Sequence, residues 1–166
     1  WSLIRDDLHL TDTEIGLLLS APGVLAAFLE PFIGLLGDAW RRRALILLGG
    51  LLFTISLFLT SASHSFLFLL SSFILFNPSS GAFVNLSQAN LMDSDTSRHE
   101  QNMARWTFAG SLGVLTGPIL LGVFVYLGLG WRGTYALLAS LSMLCLLAAW
   151  RSGDTAARMP APPSPR

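Results

Sequence analysis

Lysine is absent from this sequence: all ten basic residues are arginine, balanced by ten acids to a formal net charge of zero. Only 12% of the residues are charged, against about 25% in a typical soluble domain. So few charges cannot clothe a water-soluble fold of 166 residues. No basic face exists outside short connecting segments, which excludes nucleic acid as a partner. The single cysteine, Cys145, can form no internal disulfide and reads as a small packing residue. His9, His64 and His99 are too scattered to hold a metal. No Ser/His/Asp pattern and no phosphate-binding loop is found, so neither an enzyme nor a cofactor is expected. The opening, WSLIRDDLHLTDTE, lacks the basic-then-apolar order of a secretory leader and reads as the middle of a longer protein.

What the chain has in abundance is apolar: 52% of residues are hydrophobic and the mean hydropathy is +0.60. A helix needs about 20 mainly apolar residues to cross the hydrocarbon core. Five segments qualify, at about residues 15–36, 44–62, 66–91, 107–127 and 134–150. The fold expected is therefore all-α, a polytopic transmembrane bundle over residues 15–150 in contact with membrane lipid. Short gaps make sequence neighbours antiparallel neighbours in space. Residues 1–14 form an external segment, and Thr11 with Glu14 fits the capping box that opens the first long helix. After Trp150 the proline-rich RSGDTAARMPAPPSPR reads as a disordered tail or linker. With Arg41–Arg43 in the cytoplasm, eight arginines lie inside and only Arg5 and Arg132 outside, a strong positive-inside bias. That places the N-terminal segment outside the cell membrane and the C-terminal tail in the cytoplasm.

Four groups of residues invite a functional reading. Glu30 falls within the first span, where an unpaired carboxylate costs several kcal/mol; it is either a protonatable coupling residue or a partner of an arginine such as Arg42 or Arg105. Asn77, Gly81, Asn85 and Gln88, spaced four, four and three apart, share one helical face. Asn77, Asn85 and Gln88 either face a solute or hydrogen-bond neighbouring helices. Asn77-Pro78 marks a kink or break in the third span. Gly110, Gly113 and Gly117 permit close helix packing, with Pro118 adding a bend. Asp93, Asp95, Arg98, His99 and Glu100 read as a solvated turn.

Between the first two spans stand Gly34, Leu36, Gly37, Asp38, Arg42 and Arg43. They resemble the G-x-L-a-D-r-x-G-r-k/r loop between helices two and three of the major facilitator superfamily. Ala39 stands where that family often has a basic residue, and Arg41 where it often has glycine. Gly113, Gly117, Pro118 and Gly122 match its helix-five motif G-x-x-x-G-P-x-x-G-G, with Leu121 replacing one glycine. GWRGTYALL is similar to the entry of helix six. The resemblance runs from Leu3 to about Trp150 and implies helices two to six, with helix one before Trp1 and a second half after Arg166. It implies a secondary transporter that moves a small-molecule substrate by alternating access, with a proton as coupling ion. The helix-five motif leans toward an efflux antiporter. Uptake of a sugar or organic solute on the same fold is one alternative; a non-transporting membrane scaffold is another. The resemblance makes Asp38 and Arg42, helped by Arg43, a latch toward the second half. Asp38 at a helix C-terminus is unfavourable by about 0.3–1 kcal/mol, which suits an acid with a partner outside its own helix.

Overall fold

A computed structural model describes residues 1–39, 42–94 and 98–156. Among the described residues the regular elements are all helical. A short α1 (Ser2–Leu8) precedes α2 (Asp12–Ala39) and α3 (Arg42–Ser61). Next come α4 (Phe66–Ser80), a π-turn (Gly81–Asn85) and α5 (Leu86–Ser94), which continue one another as a single long helix. The chain ends in α6 (His99–Tyr126) and α7 (Gly130–Ala156). Five helices are long and apolar enough to cross a membrane: Asp12–Gly37, Arg42–Ser61, Phe66–Asp93, His99–Tyr126 and Gly130–Arg151. The side chain of Asp38, together with Arg41, Asp95 and the proline-rich tail from residue 157, lies outside the described residues.

Local chemistry sets the helix ends. The Thr11 backbone N–H donates to Glu14 Oε2 at 2.8 Å, and the Glu14 N–H donates to Thr11 Oγ1 at 3.3 Å. This reciprocal box satisfies two donors that the first turn of α2 would otherwise leave unpaired. Ser65 caps α4 by accepting from the Phe68 N–H at 3.4 Å. Between α6 and α7 the chain reverses through Gly128 and Gly130, at φ +75° and +61°. Those angles strain any residue with a Cβ. The fourth long helix begins at His99, well before its apolar stretch, so much of the polar segment read as a loop is an extra turn and more of helix.

Helix α3 is the axis of the bundle. It packs against α7, α4 and the π-turn, while α2 lies on α4 and α6 leans mainly on α7. Apart from Leu57, the buried residues of α3 are small: Gly49, Gly50, Thr54, Ser56 and Thr60. Thr54, Ser56 and Thr60 are fully buried, and each hydroxyl donates to a backbone carbonyl of the preceding turn. Thr54 Oγ1 also lies 2.9 Å from Ser142 Oγ of α7, bridging the two helices. Among the described residues no buried side-chain polar atom lacks a hydrogen-bond partner. Many leucines, valines and phenylalanines instead face outward, Val114 and Phe108 among them. In a bilayer that inversion is favourable, because lipid tails solvate alkyl side chains as well as a protein core does and helix association comes from close packing.

At the α1 end a small apolar core forms around Ile4, Leu10, Leu18, Leu69 and Trp131. A polar clamp closes over it. Asp7 Oδ2 pairs with Arg132 and accepts from Trp131 Nε1 at 3.2 Å. Arg132 in turn donates from Nε and Nη2 to the Ser63 carbonyl, at 3.2 and 2.8 Å. Its guanidinium sits 4.6 Å from the Trp131 ring centroid, and Ser61 Oγ donates to its carbonyl at 2.9 Å. One arginine thereby joins α1, the α3–α4 connection and the start of α7. Replacing Arg132 with alanine removes the ion pair and both bonds to Ser63, and is expected to cost about 1–3 kcal/mol. Arg5 pairs with Asp12 in the open, so Arg5→Ala should change stability by less than about 0.5 kcal/mol. Unfolding of both variants in detergent, followed by tryptophan fluorescence, checks the contrast.

Candidate functional site

Of the residues singled out in the sequence, Glu30 and Gly81 meet at the seam of α2 and the π-turn, with Gly37 beside it on Leu86. A π-turn widens the helix by one residue and commonly marks a functional position. Here it follows Pro78 directly. Proline supplies no N–H to the turn before it, and the Gly81 N–H is shared between the carbonyls of Asn77 and Pro78.

Glycines grip this segment from two sides. On α3, a Cβ at Gly49 would lie 2.8 Å from Ala82 Cβ and 2.9 Å from the Phe83 backbone nitrogen. A Cβ at Gly50 would meet the Phe83 ring at 2.9 Å and Leu146 of α7 at 2.8 Å. Both glycines are buried. On the α2 side the π-turn supplies the glycine: a Cβ at Gly81 would lie 2.9 Å from Glu30 Oε1 and 3.3 Å from its Cδ. One stage further along, a Cβ at Gly37 would meet Leu86 Cδ2 at 2.6 Å. Glu30 is exposed, and among the described residues no ion pair or hydrogen bond holds its carboxyl. Arg42 is not its partner: that guanidinium pairs with Asp93 of α5.

The arginine loop is also tied down. Arg42 joins α3 to α5 through Asp93, and Arg43 Nη2 donates to the Trp150 carbonyl of α7 at 2.8 Å. Nearby, Asn102 Nδ2 of α6 donates to the Leu91 carbonyl at 3.3 Å. Asp93 is thus a structural partner, where the sequence suggested a solvated turn. Gly34 has open space where a Cβ would stand.

The three amides that share a face in the sequence have different surroundings. Asn77 donates to the Phe73 carbonyl at 3.3 Å and lines a cavity of about 300 Å³ with Trp1, Leu18, Phe76 and Tyr135. Asn85 is exposed. Gln88 Nε2 reaches Met103 Sδ of α6 at 3.7 Å. Glu30 meets this face at Gly81, midway between Asn77 and Asn85.

Helix α6 behaves differently. Gly110, Gly113, Gly117 and Gly122 each have open space where a Cβ would stand. Gly117 and Pro118 border an apolar groove of about 490 Å³, shared with Phe53, Leu57 and Leu138. Among the described residues nothing packs closely on the glycine motif.

Five apolar helices, packed through glycines and buried hydroxyls and lined outward with alkyl side chains, define a multi-pass membrane bundle. The sequence profile of the Major Facilitator Superfamily matches residues 1–166, and the chain belongs to that superfamily. It is similar to the quinolone resistance protein NorA of Staphylococcus aureus, including those of strains Mu50 / ATCC 700699, N315 and MW2. Each is 33% identical over 75 residues, which cover 45% of this chain and 19% of the relative. The matched stretch therefore spans about a fifth of the relatives' length.

Gly49 and Gly50 were not singled out in the sequence, although adjacent glycines inside an apolar helix signal a packing demand. The two sets of glycines should respond oppositely in this chain. Gly49→Val drives a side chain into the backbone at Phe83 and should cost about 1–3 kcal/mol. Gly113→Ala meets nothing and should be neutral or stabilising by up to about 1 kcal/mol. Denaturant unfolding of the chain in detergent measures both.

Proposed function

We propose that this chain is part of a secondary active transporter that moves a small solute across the cell membrane by alternating access. Transport of this kind needs no chemistry on the solute. The observation that carries the reading is the seat of Glu30. A carboxyl inside an apolar span, without a counter-ion among the described residues, lies against a π-turn just after a proline. Such a group is costly in the hydrocarbon core unless it is paired, hydrated or put to use. Glu30 is therefore the coupling residue of a proton-driven antiporter, and Asn77, Asn85 and Gln88, on the long helix that contains the π-turn, contribute its solute-facing side. Export is favoured over uptake by the helix-five motif and by the similarity to NorA, whose name describes quinolone resistance.

The latch follows the same logic. Gly34 and Gly37 stand at the end of α2, Asp38 is assigned to the latch by its place in the motif, and Arg42 and Arg43 hold the loop by their bonds to Asp93 and Trp150. The arginine-rich end faces the cytoplasm and α1 faces outward, so the only arginines at the outer end are Arg5 and Arg132, each paired with an aspartate. The open face of Gly110, Gly113, Gly117, Pro118 and Gly122 belongs to contacts with parts of the transporter outside this chain.

Reconstitution of the complete transporter in liposomes with an imposed proton gradient tests the reading. Glu30→Gln should lower gradient-driven flux at least about tenfold while solute exchange without a gradient persists. Unchanged gradient-driven flux would remove Glu30 from the mechanism. The 166-residue chain alone should carry no solute-specific flux.

A further inference from the structure

We propose that the turn joining α6 to α7 is seated in the lipid boundary at the α1 end of the bundle, with Tyr126, Leu127 and Leu129 among the headgroups and upper acyl chains of that leaflet. This rests on the multi-pass bundle itself and not on the reading of the chain as a transporter.

Length and charge bring the turn to that depth. Residues 106–131, between Arg105 and Arg132, carry no charge. Residues 106–126 are the helical part of this stretch and rise roughly 32 Å. The hydrocarbon core is about 30 Å thick. With the exposed Arg105 at one face of the membrane, Tyr126 arrives at the opposite boundary. Tyrosine is favoured there, because its ring meets acyl chains while its hydroxyl meets water. Tyr126 is 90% exposed, Leu127 60% and Leu129 56%, a surface suited to lipid. The α3–α4 connection at the same end reads SASHS over residues 61–65 and is polar by contrast.

The backbone of the turn is also prepared for a low dielectric. The Leu127 N–H donates to the Val123 carbonyl at 2.9 Å, the Gly128 N–H to the Val125 carbonyl at 3.0 Å and the Leu129 N–H to the Phe124 carbonyl at 2.9 Å. On the far side the Gly133 N–H donates to the Leu129 carbonyl at 3.1 Å. A turn in water can leave such donors to solvent, whereas one at the edge of the hydrocarbon has to pair them internally. Gly128 and Gly130, both at positive φ, permit this tight closure. The nearest charge is engaged elsewhere: Arg132 pairs with Asp7 and donates to the Ser63 carbonyl. Past Asn102 no described residue of α6 is buried. Lipid contact at the turn thus positions an arm that its neighbours in this chain barely cover.

The test is spin labelling in a Cys145→Ser background, with nitroxides on Leu127→Cys and Leu129→Cys and, as the reference in water, on His64→Cys. All three side chains are exposed, so labelling should leave the fold intact. Power saturation of the chain in lipid nanodiscs compares collisions with oxygen, which concentrates in lipid, and with nickel-EDDA, which stays in water. At positions 127 and 129 the oxygen-to-nickel ratio should exceed that at position 64 by at least about fivefold. Ratios equal to that at position 64 would put the turn in water and overturn the proposal. In the complete transporter in liposomes the labels at 127 and 129 should remain open to oxygen. Loss of collisions with both reagents there would mean that another part of the transporter covers the turn, and would also overturn it. Neither failure touches the coupling role of Glu30, which gradient-driven flux tests separately.

Discussion

The closeness with which α3 is approached governs the rest of this bundle. Gly49 and Gly50 bring the π-turn to within a distance that no Cβ tolerates, and Gly50 does the same for Leu146 of α7. In a membrane this proximity replaces the hydrophobic effect as the source of cohesion. Dispersion forces between backbones, together with the Thr54–Ser142 hydrogen bond, hold α3 to its neighbours. Everything else is arranged around that contact. Since α3 is fixed on Ala82 and Phe83, the π-turn presents Gly81 toward α2, and Glu30 can meet it.

The two ends of the bundle are secured by different means. At the α1 end, Arg132 ties three segments with hydrogen bonds above a small apolar core. At the arginine-rich end, Arg42 and Arg43 link α3 to α5 and α7. Between the two, the seam of α2 against the π-turn carries no ion pair among the described residues. The ends are thus held by ion pairs and the seam between them by close packing.

The sequence shows some of this arrangement and hides the rest for physical reasons. Five apolar stretches announce five long helices because hydropathy is a local property and bilayer thickness sets the length. The capping box at Thr11 and Glu14 is legible because its two partners are three residues apart. The pairing of Arg42 with Asp93 spans 51 positions and leaves no local trace. The α1 helix hides in a polar opening, since its stability comes from Ile4 and Asp7 docking on Trp131 and Arg132. At the candidate site, the spacing of Asn77, Gly81 and Asn85 shows a common face, but only the fold shows Glu30 resting on it. The π-turn itself is a compromise among Pro78, Gly49 and Gly50, and no single one of them signals it.

Oxidative cross-linking of Thr54→Cys with Ser142→Cys, in a Cys145→Ser background within native membranes, tests the central role of α3 most directly. The side-chain oxygens at these positions are 2.9 Å apart, within reach of a disulfide. The account predicts rapid intramolecular cross-linking of this pair and none between Thr54→Cys and Val114→Cys on the outward face of α6. Failure of the 54–142 pair to cross-link, or equal cross-linking of both pairs, would contradict a bundle built around α3.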